Sequence, residues 1–180
     1  MTAVATVTVS AHSDFSVIVR EHGPRVLRSL RRLGVREADV PDVAQDVFVT
    51  LHKKLPEFEG RSALQTFVYG IALRVASDYR RSAYVRREQS SDSLPERAGS
   101  APELKELERK ERVRMLDRAL SMLEPVHREV LVLFEIEELS MKDVASAIGC
   151  PEKTAYGRLY AARAALKKRW AEVDIEGGAS

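Results

Sequence analysis

A chain of 180 residues with 44% hydrophobic residues can bury one modest core or two very small ones, and its formal net charge of +2 hides an uneven distribution. The single cysteine, Cys150, cannot form an internal disulfide, and no cysteine/histidine cluster has zinc-ligand spacing, so neither a disulfide scaffold nor a structural metal is expected. No apolar run approaches the ~18 residues of a membrane helix, and the opening MTAVATVTVSAHSDF lacks the basic start of a signal peptide; the expectation is a cytoplasmic chain without membrane insertion, with residues 1–12 a flexible tail.

The apolar periodicity is helical nearly throughout, which predicts an all-α protein. Phe15, Ile18, Val26, Leu30 and Leu33 outline a first helix that Gly34 can end, and Val43, Val47, Leu51 and Leu55 a second that stops at Pro56. Leu64, Phe67, Ile71 and Val75 mark a third, which runs into the basic DYRRSAYVRRE. These stripes predict one small helical domain over 13–88. Ser90 to Glu103, SSDSLPERAGSAPE, is rich in Ser, Pro, Gly and charge, so 89–103 reads as a flexible linker. Ser100-Ala101-Pro102-Glu103 has capping-box spacing, and Val113, Leu116, Leu120 and Leu123 follow on one helical face. A second domain is therefore expected over 104–171, with 172–180 a tail.

That second domain contains SMKDVASAIGCPEKTAYGRL. Ser140 can cap a short helix with Asp143 pairing back, Ala145 is small where helices cross, Gly149 allows a tight turn, and Pro151 suits the start of the next helix. In the following helix Leu159, Ala162 and Leu166 share one side, while Lys153, Tyr156, Tyr160, Arg163 and Lys167 share another. Lys153 to Arg169 holds six basic residues and no acidic ones, and residues 61–90 hold six basic against two acidic, with a net-acidic stretch between them. Two basic patches on one chain suit a polyanion, and a helix-turn-helix presenting its second helix to the major groove accounts for the second patch. A plain αα-hairpin with a solvated basic face gives the same pattern. His12, His22, His52 and His127 are scattered without a paired nucleophile, metal ligand or phosphate loop, so no enzyme, cofactor or catalytic site is expected.

Several stretches together resemble the extracytoplasmic-function sigma factors of bacteria. DVPDVAQDVFVTLHKKLPEFEG is similar to the family's polymerase-binding helix, LQTFVYGIALRVASDYRR to its promoter-melting segment, and the stretch from LEPVHREV through AARAAL to the domain that reads the upstream promoter element. The resemblance spans about Asp14 to Trp170. It implies an alternative sigma factor with core RNA polymerase (β′ clamp and β flap), promoter DNA and an anti-sigma factor as partners. On that resemblance Asp39, Asp42, Gln45 and Asp46 dock on the β′ clamp. Arg61, Ser62, Gln65, Thr66, Phe67, Tyr69, Arg74, Arg80 and Arg81 engage the minus-ten element, with Arg86 and Arg87 tracking phosphates and Tyr69 more exposed than Phe67. Lys153, Thr154, Tyr156, Gly157, Arg158, Tyr160, Arg163 and Lys167 engage the minus-thirty-five element. Phe67, Gly70, Leu73 and Arg74 depart from the family's usual residues, as do Gly157 and Ala161 on the reading helix; Arg158 is the residue there that an internal ion pair could claim. A stand-alone dimeric helix-turn-helix repressor or activator is the competing reading, and it leaves the acidic helix and the basic melting segment unexplained.

Overall fold

A computed structural model of the chain describes residues 15–87 and 104–177. Among them are seven α-helices and no strand: α1 (Phe15–Arg32), α2 (Val40–Lys54), α3 (Leu64–Arg87), α4 (Leu104–Ser121), α5 (Pro125–Leu131), α6 (Met141–Ile148) and α7 (Glu152–Gly177). The expected N-terminal tail, the linker and the Ser100 cap lie outside the described residues. Residues 172–177, expected as tail, instead continue α7.

The helices end where the sequence supplies a stop. After α1 the backbone turns through Gly34 at φ +93, and after α2 a 3-10 turn, Leu55–Glu57, carries Pro56. Ser140 caps α6, its Oγ accepting from the Asp143 N–H at 3.2 Å while donating to the Asp143 carboxylate at 2.6 Å. Gly149 closes that helix at φ +69, ψ 42, a left-handed conformation that costs glycine least. Pro151 sits just ahead of α7, and its carbonyl accepts from Thr154 and Ala155. One irregularity had no sequence signal: α5 runs on into a π-helical turn, Val132–Ile136, which places Val132 and Leu133 inside.

Two sets of helices form, but their cores merge. Val26 and Leu30 of α1, Val47 and Leu51 of α2, and Val68 and Ala72 of α3 are sealed from water, as are Leu120, Val130, Leu133, Val144, Leu159 and Ala162 of the C-terminal half, and one continuous apolar cluster joins both groups. Each fully buried Leu or Val contributes about 2 kcal/mol of transfer free energy. Around that shared apolar core the seam between the halves also carries polar contacts. Arg80 of α3 donates to Glu129 of α5 and to the Leu33 carbonyl, and Arg32 of α1 faces Asp117 of α4 at 3.5 Å. Arg128 is 8% exposed, and its guanidinium donates to the carbonyls of Leu120, Ser121 and Leu123 around the end of α4, the Leu120 carbonyl also accepting from the Leu123 N–H at 3.1 Å.

Candidate nucleic-acid interface

The reading helix is amphipathic in the way its sequence demands. Ala155, Leu159 and Ala162 are buried against the rest of the C-terminal half, and Lys153, Thr154, Tyr156, Gly157, Tyr160, Ala161, Arg163 and Lys167 are exposed. Tyr160 is 65% exposed and Tyr156 42%, values that leave both rings free to stack on or hydrogen-bond to a partner. Arg158 is half-buried. Arg158 has no ion-pair partner among the described residues, whereas Arg163 Nε donates to Glu135 at 2.7 Å, from the π-helical turn behind α7. Ala164 and Lys168, not singled out in the sequence, extend the same exposed face by helical spacing.

The melting segment is divided. Arg61, Arg74 and Arg81 are exposed, with Arg61 paired to Glu59 and Arg81 to Asp78; Ser62 is half-buried. Arg86 and Arg87 lie on α3, where only the backbone is described. Phe67 is half-buried, its ring 4.9 Å from that of Phe58. Tyr69 corrects the expected order of exposure, for it is 1% exposed, packed under the C-terminal half. Burial, and then the neighbouring Glu137 carboxylate, push its ionisation well above the usual tyrosine range. Thr66 is buried as well, Gln65 donates from Nε2 to the Glu137 carbonyl at 2.9 Å, and Arg80 is taken by Glu129. These contacts lie at the seam between halves, so periodicity along α3 could not reveal them.

On α2, Asp42, Gln45 and Asp46 are exposed on one face, and Val49, 45% exposed, continues it one turn further. Val49 was missed because a lone valine among core-facing apolar residues carries no mark in the sequence. Asp39 separates from this group: it precedes α2, and its carboxylate accepts from the Tyr79 hydroxyl and, at 2.8 Å, from Arg36 Nε. Its first role is to tie α3 to the start of α2.

An apolar groove of about 460 Å³ opens between α4, the end of α5 and α7, lined by Leu116, Leu120, Ile136, Leu166 and Trp170, with Glu135 and Arg163 at its edge. No helix among the described residues is long and apolar enough to cross a membrane.

Comparison with known proteins finds a family match in each half of the chain. Residues 18–86 match the family model for Sigma-70 region 2, and residues 113–166 that for Sigma-70, region 4. The ECF RNA polymerase sigma-E factor of Escherichia coli K12 is 30% identical over 165 residues, which cover 86% of this chain and 85% of that protein. The RNA polymerase sigma-H factor of Pseudomonas aeruginosa is 30% identical over 164 residues, 86% of this chain and 84% of that one. Among solved structures, CnrH in complex with the cytosolic domain of CnrY superposes with a TM-score of 0.62 at 27% identity, covering 92% of each chain. The sigma factor RpoE of Bartonella quintana, solved with the anti-sigma factor NepR, shares the fold with a TM-score of 0.71 at 22% identity, covering 87% of this chain and 96% of that one.

Proposed function

The chain belongs to the extracytoplasmic-function sigma factors and directs promoter-specific transcription initiation by RNA polymerase, and from that premise we propose how its surfaces divide the work. Asp42, Gln45, Asp46 and Val49 dock on the β′ clamp of core polymerase, acidic groups meeting basic ones around a small apolar centre. Exposed Arg61, Arg74 and Arg81, with half-buried Ser62 and Phe67, hold the opened minus-ten strand, and Gln65, Thr66, Tyr69 and Arg80 join them once the C-terminal half no longer covers them. Melting needs no hydrolysis by this chain, which acts in the cytoplasm as a binding factor and not an enzyme.

Lys153, Thr154, Tyr156 and Tyr160 read the minus-thirty-five element from α7, while Arg158, Arg163 and Lys167 position phosphates. Without side chains to donate at Gly157 and Ala161, readout leans on the tyrosines and on duplex shape. The apolar groove between α4 and α7 takes an amphipathic helix, from the β flap in the polymerase or from an anti-sigma factor in the silent state, as helix-in-groove recognition requires. The bound anti-sigma factor of the RpoE neighbour supports this partner class.

The observation that carries the reading is the coexistence, on one chain, of an exposed acidic α2 face and an exposed basic α7 face, each backed by its own buried stripe. The test is co-elution with core polymerase: the native chain should bind, and Asp42→Lys with Asp46→Lys should abolish binding while leaving the helical content and melting temperature unchanged. Undiminished binding by the double variant would remove α2 from the docking surface.

A further inference from the structure

Glu137 is the only buried acid among the described residues, at 3% exposure, and it has no ion-pair partner there. It lies just before α6, in the C-terminal half, yet its surroundings belong to the N-terminal half. Ser29, in the buried face of α1, donates its hydroxyl to the Glu137 carboxylate; the Tyr69 hydroxyl lies beside the same group but makes no hydrogen bond among the described residues; Gln65 donates to the Glu137 carbonyl. Exposed Arg25 and Arg28 of α1 act electrostatically on the same spot, both favouring negative charge at Tyr69. Two hydroxyls and an amide with guanidinium groups at the rim form a set of donors suited to a phosphate oxygen. Every one of them is carried by the promoter-melting half.

We propose that Ser29, Gln65 and Tyr69, with Arg25 and Arg28 at the edge, form a seat for a backbone phosphate of the opened promoter strand, and that Glu137 occupies this seat in the closed chain. The inference rests on the sigma-factor reading above and extends it to residues of α1 that no sequence pattern marked. Closure consumes Gln65, Tyr69 and Arg80 together, whereas the α7 face stays open to solvent.

Length alone shows that the closed arrangement is not the promoter-bound one. The minus-ten and minus-thirty-five elements are named for positions about 25 base pairs apart, roughly 85 Å of duplex at about 3.4 Å per pair. A compact chain of this size has a radius of gyration of about 16 Å, hence a diameter of roughly 40 Å. The halves must part before both elements are held, and parting withdraws Glu137 just as the strand needs its place. A carboxylate buried with one hydrogen bond, from Ser29, and no cation among the described residues is a weak lock, because its desolvation offsets much of what the contact contributes.

The test compares full-length native protein with Glu137→Gln and Glu129→Gln. The first replaces the charge at the seat; the second frees Arg80 and leaves the seat intact. Scattering gives the radius of gyration, and a fluorescein-labelled random-sequence DNA single strand gives affinity. Both variants should expand and bind the strand roughly tenfold more tightly, the worth of one charge-assisted hydrogen bond. Adding Ser29→Ala to either should cancel the gain, and Arg25→Ala with Arg28→Ala should do the same. Unchanged dimensions in both variants, or a gain that survives Ser29→Ala, would overturn the proposal. A thermal melt of each variant separates opening from unfolding, and Glu129→Gln decides the matter alone if Glu137→Gln does not fold. Co-elution of the native chain with core polymerase tests the parent reading separately: if it binds and neither variant gains affinity for the strand, only the seat is wrong.

Discussion

Arg163 of the reading helix donates to Glu135 at 2.7 Å, so one of the cations placed to meet DNA is already partnered within the protein. Both side chains are close to half exposed, and an exposed pair of this kind contributes little to stability. Its consequence is for binding. Glu135→Ala should leave the melting temperature nearly unchanged while freeing Arg163 for a phosphate. The dependence of log K on log salt should then steepen by about 0.9, and Arg163→Ala should show no such steepening. Titration of a labelled duplex at several salt concentrations reads this directly. Equal slopes for native protein and Glu135→Ala would mean that Arg163 leaves Glu135 whenever DNA arrives.

Arg128 should prove costly to replace. Its guanidinium donates to three carbonyls around the end of α4, and burial first, then the neighbouring Arg80, lower its pKa from the ordinary arginine value. Arg128→Met keeps the apolar volume but removes the donor from the Ser121 and Leu123 carbonyls and leaves Leu120 only the Leu123 N–H, which predicts a loss of about 3 kcal/mol in denaturant unfolding. Gly34→Ala should also destabilise, for its φ is +93 and the new Cβ would collide with the Arg128 guanidinium, which its other nitrogens hold in place through those bonds. The two substitutions together should lose less than the sum of each, because Met removes the guanidinium that the alanine strikes.

Asp117 gives the fold a pH dependence with a definite sign. One carboxylate oxygen is buried without a hydrogen bond, and burial raises its pKa more than Arg32 and Arg31 lower it. A raised folded pKa means that the native state holds the proton more tightly than the unfolded chain does. The stability linked to that proton is fully present below the unfolded value, near 3.9, and is lost as pH rises through the folded value. Asp117→Asn should therefore be more stable than the native protein at neutral pH, with the advantage shrinking as pH falls towards the unfolded value. Thermal melts at a series of pH values check this; a native protein more stable than Asp117→Asn at pH 7 would show that the Arg32 pair outweighs desolvation.

How much the sequence disclosed depends on the range of the interaction. Ser140, Gly149 and the Leu159–Ala162 stripe are local signals, and the cap, the left-handed turn and the buried side of α7 all follow them. Val43, Val47 and Leu51 likewise announced the inner face of α2 and left Asp42, Gln45 and Asp46 outside. What stayed hidden joins residues far apart in the chain. Ser29 and Glu137 are 108 positions apart, and neither belongs to a pattern that periodicity detects. Tyr69 looked available for a base because α3 was read by itself; packing of the C-terminal half decides its burial. The Arg163 pair escaped for a similar reason, since its partner sits in a π-helical turn that no propensity signalled. Arg158, which an internal ion pair could have claimed, has no such partner among the described residues.

The most direct measurement is promoter-selective initiation. Purified full-length protein is added to bacterial core RNA polymerase with fragmented genomic DNA, and the 5′ ends of the new transcripts are sequenced. The account predicts specific starts only when both proteins are present, all sharing paired upstream elements, with Tyr156→Ala changing the preference at the minus-thirty-five element alone. Discrete duplex sites bound by the protein by itself, with no starts in the presence of core polymerase, would contradict it and leave a self-sufficient regulator in its place.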